Sequence, residues 1–238
     1  MKYKMFILSA ACLVSSCLII KVNKELIDTR ENEFYLNRGS EISFQNSKGD
    51  LELEEWESDF ILIETSIYGD SAHGVPEGLN VRFDQSTDDL FVTVDYPERA
   101  IFCSVDFLVK IPTQMDYIIN QTTTNGETFI IADVLANVET TNGDIYVEIR
   151  SSHSLETTNG DITALLYGQN QEVVIETTNG DVSVELPDFI GFDTRTVNGD
   201  VVINGVETDD EMFLDGDWIA IIETTNGDIN IQRNRTFE

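Results

Sequence analysis

The sequence predicts an all-β protein, a single-stranded β-solenoid whose coils take about 17–20 residues each. A short phrase, Thr-Thr-Asn-Gly-Asp, recurs with small variations along the second half of the 238-residue chain. Its glycines stand at positions 126, 143, 160, 180, 199 and 227, which is a short and near-constant period. Apolar and polar residues alternate on both sides of each copy, as they do in half-buried strands. Such a pattern is typical of repeat arrays in which each unit contacts only its neighbours.

Every copy supplies an Asn-Gly corner followed by an acidic residue, and we expect these corner residues to have a structural role. In a solenoid each residue lies on its copy one coil away, ~4.8 Å distant, so identical side chains form ladders. Threonine hydroxyls and asparagine amides are then placed to pass hydrogen bonds along the stack. The predicted corner residues are Asn125, Gly126, Asn142, Gly143, Asp144, Asn159, Gly160, Asp161, Asn179, Gly180, Asp181, Asn198, Gly199, Asp200, Asn226, Gly227 and Asp228.

An antiparallel meander is the alternative to the solenoid. Asn-Gly between alternating strands is the strongest local signal for a hairpin, because both residues tolerate a positive φ. Successive hairpin tips, however, would have no reason to carry identical residues, whereas stacked coils would. The repetition therefore favours the solenoid.

Stacking in register makes a specific prediction for Arg195. The position three residues before each corner asparagine is Glu176, Arg195 and Glu223 in the last three copies. Opposite charges on adjacent strands stabilise a sheet by roughly 0.2–1 kcal/mol. We expect Arg195 to lie between the two glutamates and to contact both.

Residues 33–115 are expected to form an N-terminal β region ahead of the repeat solenoid at 116–238. Alternating runs there are divided by irregular turns, which indicates a less regular β layer that caps the array. A cap is required because the first coil would otherwise expose an open strand edge. Residues 46–50 resemble a degenerate copy of the repeated motif, so the solenoid could also begin there. Cys103 alternates in phase with Val105 and Phe107, and we expect it to be buried.

The first residues indicate a secreted and lipid-anchored protein. Lys2 and Lys4 precede an apolar stretch that is shorter than the ~20 residues of a membrane-spanning helix, and an uncleaved anchor is the alternative. The ending Val14-Ser15-Ser16-Cys17 resembles the bacterial lipobox. This resemblance implies a signal peptide over residues 1–16, lipid attachment at Cys17, a tether over residues 17–32, and membrane association through the lipid. The implied location is the bacterial cell envelope, on the outer membrane or a periplasm-facing membrane surface.

The charge of the chain excludes one class of partner. Asp and Glu number 44 against 14 Lys and Arg, which gives a net charge of −30. A polyanion of this size repels nucleic acid, so no nucleic-acid partner is expected. Two interpretations stay open for the row of aspartates that follow the corners: each Asp caps its own turn, or cations bridge neighbouring aspartates. Calcium is disfavoured, because the repeat lacks the denser Gly-Gly-x-Gly-x-Asp pattern of calcium-binding solenoids.

The sequence predicts no catalytic, cofactor or metal site. His73 and His153 stand in unrelated contexts without a second ligand at zinc spacing. Polysaccharide lyases built on parallel β-solenoids need cationic residues beside an acidic sugar, and Arg150 and Arg195 are too few for this. We therefore expect a protein that is not an enzyme and uses no cofactor.

Residues 206–218 lengthen the spacing before the last copy of the motif, and they are the stretch that departs most from the repeat. Thr208-Asp209-Asp210-Glu211 is a capping-box pattern, so one or two helical turns are expected after it. The stretch is either a lid over the end of the solenoid or a contact loop that presents Phe213 and Trp218.

Together these motifs resemble the bacterial putative-adhesin family of uncharacterised β-solenoid domains. The resemblance rests on the Thr-Asn-Gly-Asp copies, on Val109-Lys110-Ile111-Pro112 and on Glu185-Leu186-Pro187, and covers roughly residues 33–232. It implies an adhesin-like binding or structural module that meets an envelope protein or a glycan. The rival functions are a polysaccharide-active enzyme on a β-helix scaffold and a partner protein in the envelope stress response.

Overall fold

The structure is a computed structural model that describes residues 25–70, 74–98, 103–168, 172–208, 211–214 and 218–234. The predicted signal peptide at residues 1–16 and Cys17 lie outside the described residues, as does His73. Every regular element of the described chain is a β-strand, and the strands wind into a flattened solenoid with two faces. The predicted fold class is confirmed.

One face, called face A, contains the strands that lead into the Asn-Gly corners. Its parallel strands are β2 (Glu41–Lys48), β6 (Asp89–Asp95), β8 (Ile118–Asn125), the second half of β9 (Thr128–Asn142), β11 (Ser154–Asn159), β13 (Val173–Asn179), β15 (Ile190–Asn198) and β19 (Trp218–Asn226).

The other face, called face B, contains the strands that leave the corners. Its parallel strands are β3 (Leu51–Trp56), β7 (Ser104–Pro112), the first half of β9, β10 (Ile145–Ser151), β12 (Ile162–Leu166), β14 (Val182–Pro187), β16 (Val201–Ile203) and β20 (Ile229–Asn234). The long strand β9 passes from face B to face A, so both faces share one hydrogen-bonded network.

The coils stack in register, so equivalent residues of the repeat are strand neighbours. Thr157 pairs with Thr140 on one side and with Thr177 on the other. On face B, Ile162 pairs with Ile145 and Val182 in the same way. The side chains of this inner column are buried, because β-branched residues at alternate positions all turn toward the space between the faces.

The order of the coils in space differs from their order in the chain at the C-terminal end. Asn226 pairs with Asn179 on one side and with Asn198 on the other. The last coil (β19 and β20) is therefore inserted between the two coils that precede it. The expected position of Arg195 is wrong for this reason: Glu223 lies between Glu176 and Arg195 in the strand register.

A similar exchange occurs at the N-terminal end. β2 and β3 come early in the chain, yet β6 and β7, which come later, pair on their outer side. Gly49 extends the row of corner glycines, because a Cβ on Gly126 would meet the carbonyl of Gly49. Residues 46–50 thus occupy a genuine corner of the solenoid.

Antiparallel strands cover the N-terminal end of the parallel faces. On face B, β4 (Ile61–Gly69) pairs with β7, and β1 (Glu25–Phe34) pairs with β4. On face A, β5 (Asn80–Gln85) pairs with β6. This agrees with the predicted N-terminal cap. The tether expected over residues 17–32 is wrong for its second half, because residues 25–32 belong to β1; the polar composition of β1 reflects its place as an edge strand.

The C-terminal end is covered in the same manner. β17 (Val206–Thr208) folds back on β16, and β18 (Glu211–Leu214) pairs antiparallel with β15. The helical turns expected after Thr208 are wrong: Glu211–Leu214 is a strand, because the open edge of β15 offers backbone hydrogen-bonding groups that an added strand satisfies. Asp209 and Asp210 lie outside the described residues.

Cys103 is a free thiol with 4% of its surface exposed, as its alternation with Val105 and Phe107 predicted. In the described part of the chain, no helix has the length and apolar character needed to span a bilayer.

Candidate functional site

The corner glycines are packed directly against one another. A Cβ placed on Gly126, Gly143, Gly160, Gly180, Gly227 or Gly199 would come within 1.9–2.2 Å of the carbonyl oxygen of the neighbouring corner glycine. No side chain fits at that distance, so the close approach of the backbones requires glycine at every copy.

The corner asparagines form a continuous amide ladder. From Asn142 onward, each side-chain amide donates to the Oδ1 of the asparagine in the adjacent coil, over 2.8–3.1 Å. The inner threonines do not pass hydrogen bonds from one hydroxyl to the next. The Thr157 and Thr177 hydroxyls donate to the Gly143 and Gly160 carbonyl oxygens, at 3.1 Å and 3.0 Å. Side chains thus connect adjacent coils in addition to the backbone ladder.

The aspartate that follows each corner is bound in a way that neither expectation described. The Asp161 backbone N–H donates to Asp144 Oδ1 at 2.9 Å, and Asp181 N–H donates to Asp161 Oδ1 at 2.8 Å. Each carboxylate accordingly caps the backbone of the next coil and not its own turn. The same bond joins Asp228 to Asp181 and Asp200 to Asp228. Among the described residues, no group of three or more His, Cys, Asp or Glu is arranged to hold a metal ion.

The corner residues therefore hold the solenoid together. An exposed surface on face B is different, because it carries aromatic side chains. Phe129 and Tyr146 are neighbours in register on the outer side of β9 and β10. Their rings are stacked, with centroids 4.8 Å apart and an angle of 12° between the planes. Phe129 keeps 40% of its surface exposed, and the apolar Ile131 beside it keeps 39%. We call the two stacked rings the aromatic ridge.

A groove lies on each side of the aromatic ridge. The first has a volume of about 340 Å³, and the outer side of Phe129 forms one of its walls. Its other lining includes Glu52, Ser66, Tyr68 and Leu108. Because Phe129 and Tyr146 occupy adjacent strands, the side of Phe129 away from Tyr146 faces this groove and Glu52, its neighbour in register on β3.

The second groove has a volume of about 260 Å³ and is bounded by Tyr146. Thr163 and Ser183, both small and exposed, form its floor, and Glu148 and Glu185 lie along it. The Tyr146 hydroxyl donates to Glu148 Oε1. This hydrogen bond, more than burial, raises the pKa of Tyr146 above its ordinary value.

A third feature is an ionic cluster where the solenoid meets its N-terminal cap. Asp116 accepts hydrogen bonds from Arg38 and from Arg150, the latter at 2.6 Å from Arg150 Nη1 to Asp116 Oδ1. The bond from Arg150, followed by that from Arg38, lowers the pKa of Asp116 below its usual range. Asp133 lies 3.6 Å from Arg150 Nε. Burial, and then the nearby Asp133 carboxylate, raise the pKa of Tyr167 to about 12.

This cluster explains two unusual backbone conformations. Gln114 and Asp116 have φ values of 62° and 50° without being glycine. Such conformations persist only when the surroundings fix them, and for Asp116 the two arginines do so. Since Arg38 belongs to the cap and Arg150 to β10, the cluster joins the cap to the repeat array. Its charges are satisfied by one another, which indicates a structural joint.

The predicted contact residues do not come together. Phe213 lies in β18, opposite Asp193, and Trp218 begins β19, opposite Ile190. They are on opposite sides of β15, so they belong to two different strand edges. Trp218 is 41% exposed. The expectation of a lid over the end of the solenoid describes residues 206–208 and 211–214 better than that of a projecting loop.

The aromatic ridge was not predicted from the sequence, although a signal for it existed. Phe129 and Tyr146 each stand three residues after a corner glycine, Gly126 and Gly143. In a stack with coils in register, equal distance from the corner places two residues side by side on the same face. The outward direction of Tyr146 follows from the alternation after Gly143, so the pair could have been found from the sequence.

Comparison with known proteins agrees with the architecture. Residues 122–234 match the model of a domain family described as Toastrack DUF4097. A solved structure of a "putative cell adhesion protein" from Clostridium sporogenes is 15% identical, with a TM-score of 0.50 over 87% of this chain and 100% of that one. No match was found among curated proteins.

Two further solved structures are similar at lower scores. A "putative adhesin" from Bacteroides fragilis is 11% identical with a TM-score of 0.30, covering 86% of this chain and 97% of its own. Another from Parabacteroides merdae is 12% identical with a TM-score of 0.32, covering 87% of this chain and 96% of its own. The family match covers the repeat array, over residues 122–234, and the matched family is one of unknown function.

Proposed function

We propose that this protein is a lipid-anchored, adhesin-like binding module of the bacterial cell envelope that acts without catalysis. The observation that carries the proposal is the aromatic ridge with its two grooves, exposed on a sheet whose coils are fixed by glycine contacts and side-chain ladders. Exposed aromatic side chains between concave, partly polar surfaces are typical of binding sites. The Clostridium sporogenes protein of the same fold is named for cell adhesion, which is the role proposed here.

The anchor is proposed from the lipobox-like ending at Cys17. Because β1 begins at Glu25, residues 18–24 connect the lipid to the fold, and seven residues reach at most about 24 Å. The cap end of the solenoid would then stay close to the membrane, with the repeat array extending away from it. Two acyl chains give stable attachment, where a single chain gives only marginal binding.

Anchoring is tested by labelling cells with radioactive palmitate and separating membranes from soluble material. We expect label and membrane association for the natural protein and loss of both for Cys17→Ser. A labelled Cys17→Ser protein would contradict the proposed attachment site.

Binding is tested with residues 18–238 as a soluble protein, incubated with isolated bacterial envelopes and sedimented. We expect Phe129→Ser to reduce sedimentation. The matched control is Phe91→Ser, since Phe91 is 47% exposed on the outer side of face A and away from the ridge. Equal sedimentation of all three proteins, or none, would contradict a binding role for the ridge.

A further inference from the structure

We propose that the two grooves beside the aromatic ridge bind neutral hexopyranose units of a polysaccharide; this inference rests on the proposed binding function and names its ligand class. Three independent features of face B support it. They are the stacked aromatic rings that line the grooves, the polar groups beside them, and the sign of the surface charge.

The ring faces suit the apolar side of a sugar. A pyranose ring presents several C–H groups on one side, and an aromatic ring has a negative face that attracts the positive edge of such groups. Phe129 and Tyr146 are nearly parallel, so each has one face against its partner and one toward its own groove. Each groove therefore offers one stacking wall.

The remaining lining suits sugar hydroxyls. In the second groove the Glu148 carboxylate is a hydrogen-bond acceptor, while the Thr163 and Ser183 hydroxyls and the Gln232 amide can donate or accept. The first groove offers the Glu52 carboxylate and the Ser66 hydroxyl. Hydrogen bonds between a hydroxyl and a carboxylate are stronger than those between neutral groups. A sugar with several hydroxyls finds complementary partners in both grooves.

The charge selects among sugars and among other ligands. With a net charge of −30 and glutamates in both grooves, the protein repels uronic acids, sialic acids and phosphorylated glycans. The same repulsion disfavours anionic lipid surfaces and nucleic acid. Neutral sugars avoid this penalty and still use the carboxylates as acceptors.

The paired grooves favour a polymer over a single sugar. They lie on the same face, on either side of the aromatic ridge, so one flexible chain can occupy both. A second contact made by the same molecule raises the overall affinity through its high effective concentration.

The test is a calorimetric titration of residues 18–238 with a panel of neutral hexasaccharides: cellohexaose, maltohexaose, mannohexaose and chitohexaose. An oligogalacturonate hexamer is the anionic probe. We expect at least one neutral hexasaccharide to bind and the anionic probe to fail. Phe129→Ser and Tyr146→Ser should each weaken binding on the order of tenfold, because each removes a stacking wall.

Two further variants separate the ligand site from folding. Phe91→Ser removes an exposed aromatic residue from face A and should leave the affinity unchanged. Thr163→Trp fills the floor of the second groove without touching the buried core, and should weaken binding while the unfolding transition stays that of the natural protein.

The inference is overturned if no neutral hexasaccharide binds, if the anionic probe binds as tightly as the neutral ones, or if the serine variants of the ridge bind as the natural protein does. Failure of sugar binding with retained, Phe129-dependent sedimentation on envelopes would overturn the sugar class alone. Failure of both assays would overturn the proposed function as well.

Discussion

Two Asn-Gly pairs in this molecule adopt different structures, and the contrast shows what holds the solenoid together. At Asn204-Gly205 both residues have positive φ, 50° and 79°, and they join the antiparallel strands β16 and β17. At Asn159-Gly160 the chain turns from face A to face B, Asn159 is not among the described residues with positive φ, and Gly160 has a φ of 157°. The same dipeptide thus forms a hairpin in one place and a solenoid corner in the other.

The neighbours of the dipeptide account for the difference. A Cβ added to Gly205 would meet nothing within 4 Å, so the requirement for glycine there is conformational. Gly160 lies against the Gly143 carbonyl, and the Asp161 N–H donates to Asp144 of the adjacent coil. Where a coil with the same corner lies alongside, the stack determines the conformation; at the capped end, the hairpin preference of Asn-Gly prevails.

The largest expected effect comes from adding a methyl group to the corner glycine Gly160, with the hairpin glycine Gly205 as the comparison. Gly160→Ala forces a Cβ to 2.2 Å from a backbone carbonyl, so the coils must separate, and we expect a loss of about 4 kcal/mol in the free energy of unfolding. Gly205→Ala has only the left-handed conformation against it and should cost about 1–2 kcal/mol. Urea unfolding of residues 18–238 measures both. Equal losses would contradict contact as the origin of the corner glycines.

The asparagine ladder gives the next largest effect. Asn159 donates to Asn142 Oδ1 and accepts from the Asn179 amide, at 2.9 Å and 2.8 Å. Asn159→Ala removes both bonds, and because the corner asparagines are exposed, water hydrates the partners that are left, so we expect a loss of about 1–2 kcal/mol in the same measurement. The hairpin control is Asn204→Gly, which keeps the turn conformation and removes a single hydrogen bond, from the Arg233 N–H to Asn204 Oδ1, so it should cost less than Asn159→Ala. A reversed order would contradict the ladder as a stabilising feature.

A gain of stability is expected at the one copy that lacks aspartate. Glu127 stands where the other copies carry Asp, and no described hydrogen bond joins its carboxylate to the Asp144 N–H. Glu127→Asp should supply the acceptor that Asp144 supplies to Asp161, which stabilises the fold by about 1 kcal/mol. An unchanged or lower midpoint in urea would show that the carboxylate-to-backbone bond contributes nothing net.

The ionic joint provides a smaller effect that depends on pH. The two arginines lower the pKa of Asp116 from its ordinary 3.8, so its contribution to stability is present above that pH and disappears as the pH falls through the folded-state value. Asp116→Asn should be less stable than the natural protein at pH 7, and the difference should vanish in acid. A difference that is constant from about pH 7 to about pH 2.5 would contradict this role.

Periodicity made the coils, their corners and the N-terminal cap predictable. The aspartate bonds were not, because a sequence shows which residues repeat but not which coil supplies the acceptor. The position of the last coil was hidden for a related reason: Asn226 can continue the ladder equally well against Asn179 or Asn198. The antiparallel strands β17 and β18 precede the last coil, and the long spacing before Gly227 was the trace of this insertion in the sequence. Residues 25–32 were misassigned because an edge strand needs few apolar residues.

Disulfide trapping tests the order of the coils most directly. Thr178 and Thr225 lie between the paired residues Thr177–Thr224 and Asn179–Asn226, so they are neighbours, whereas Val197 lies one strand further away. In a Cys103→Ser background of residues 18–238, Thr178→Cys with Thr225→Cys should form a disulfide under mild oxidation. Thr178→Cys with Val197→Cys should not, because two strand spacings are about 9–10 Å and exceed the ~7 Å limit between Cα atoms. A disulfide in the second pair and none in the first, identified by mass spectrometry, would contradict the inserted coil and the register on which the stacked solenoid depends.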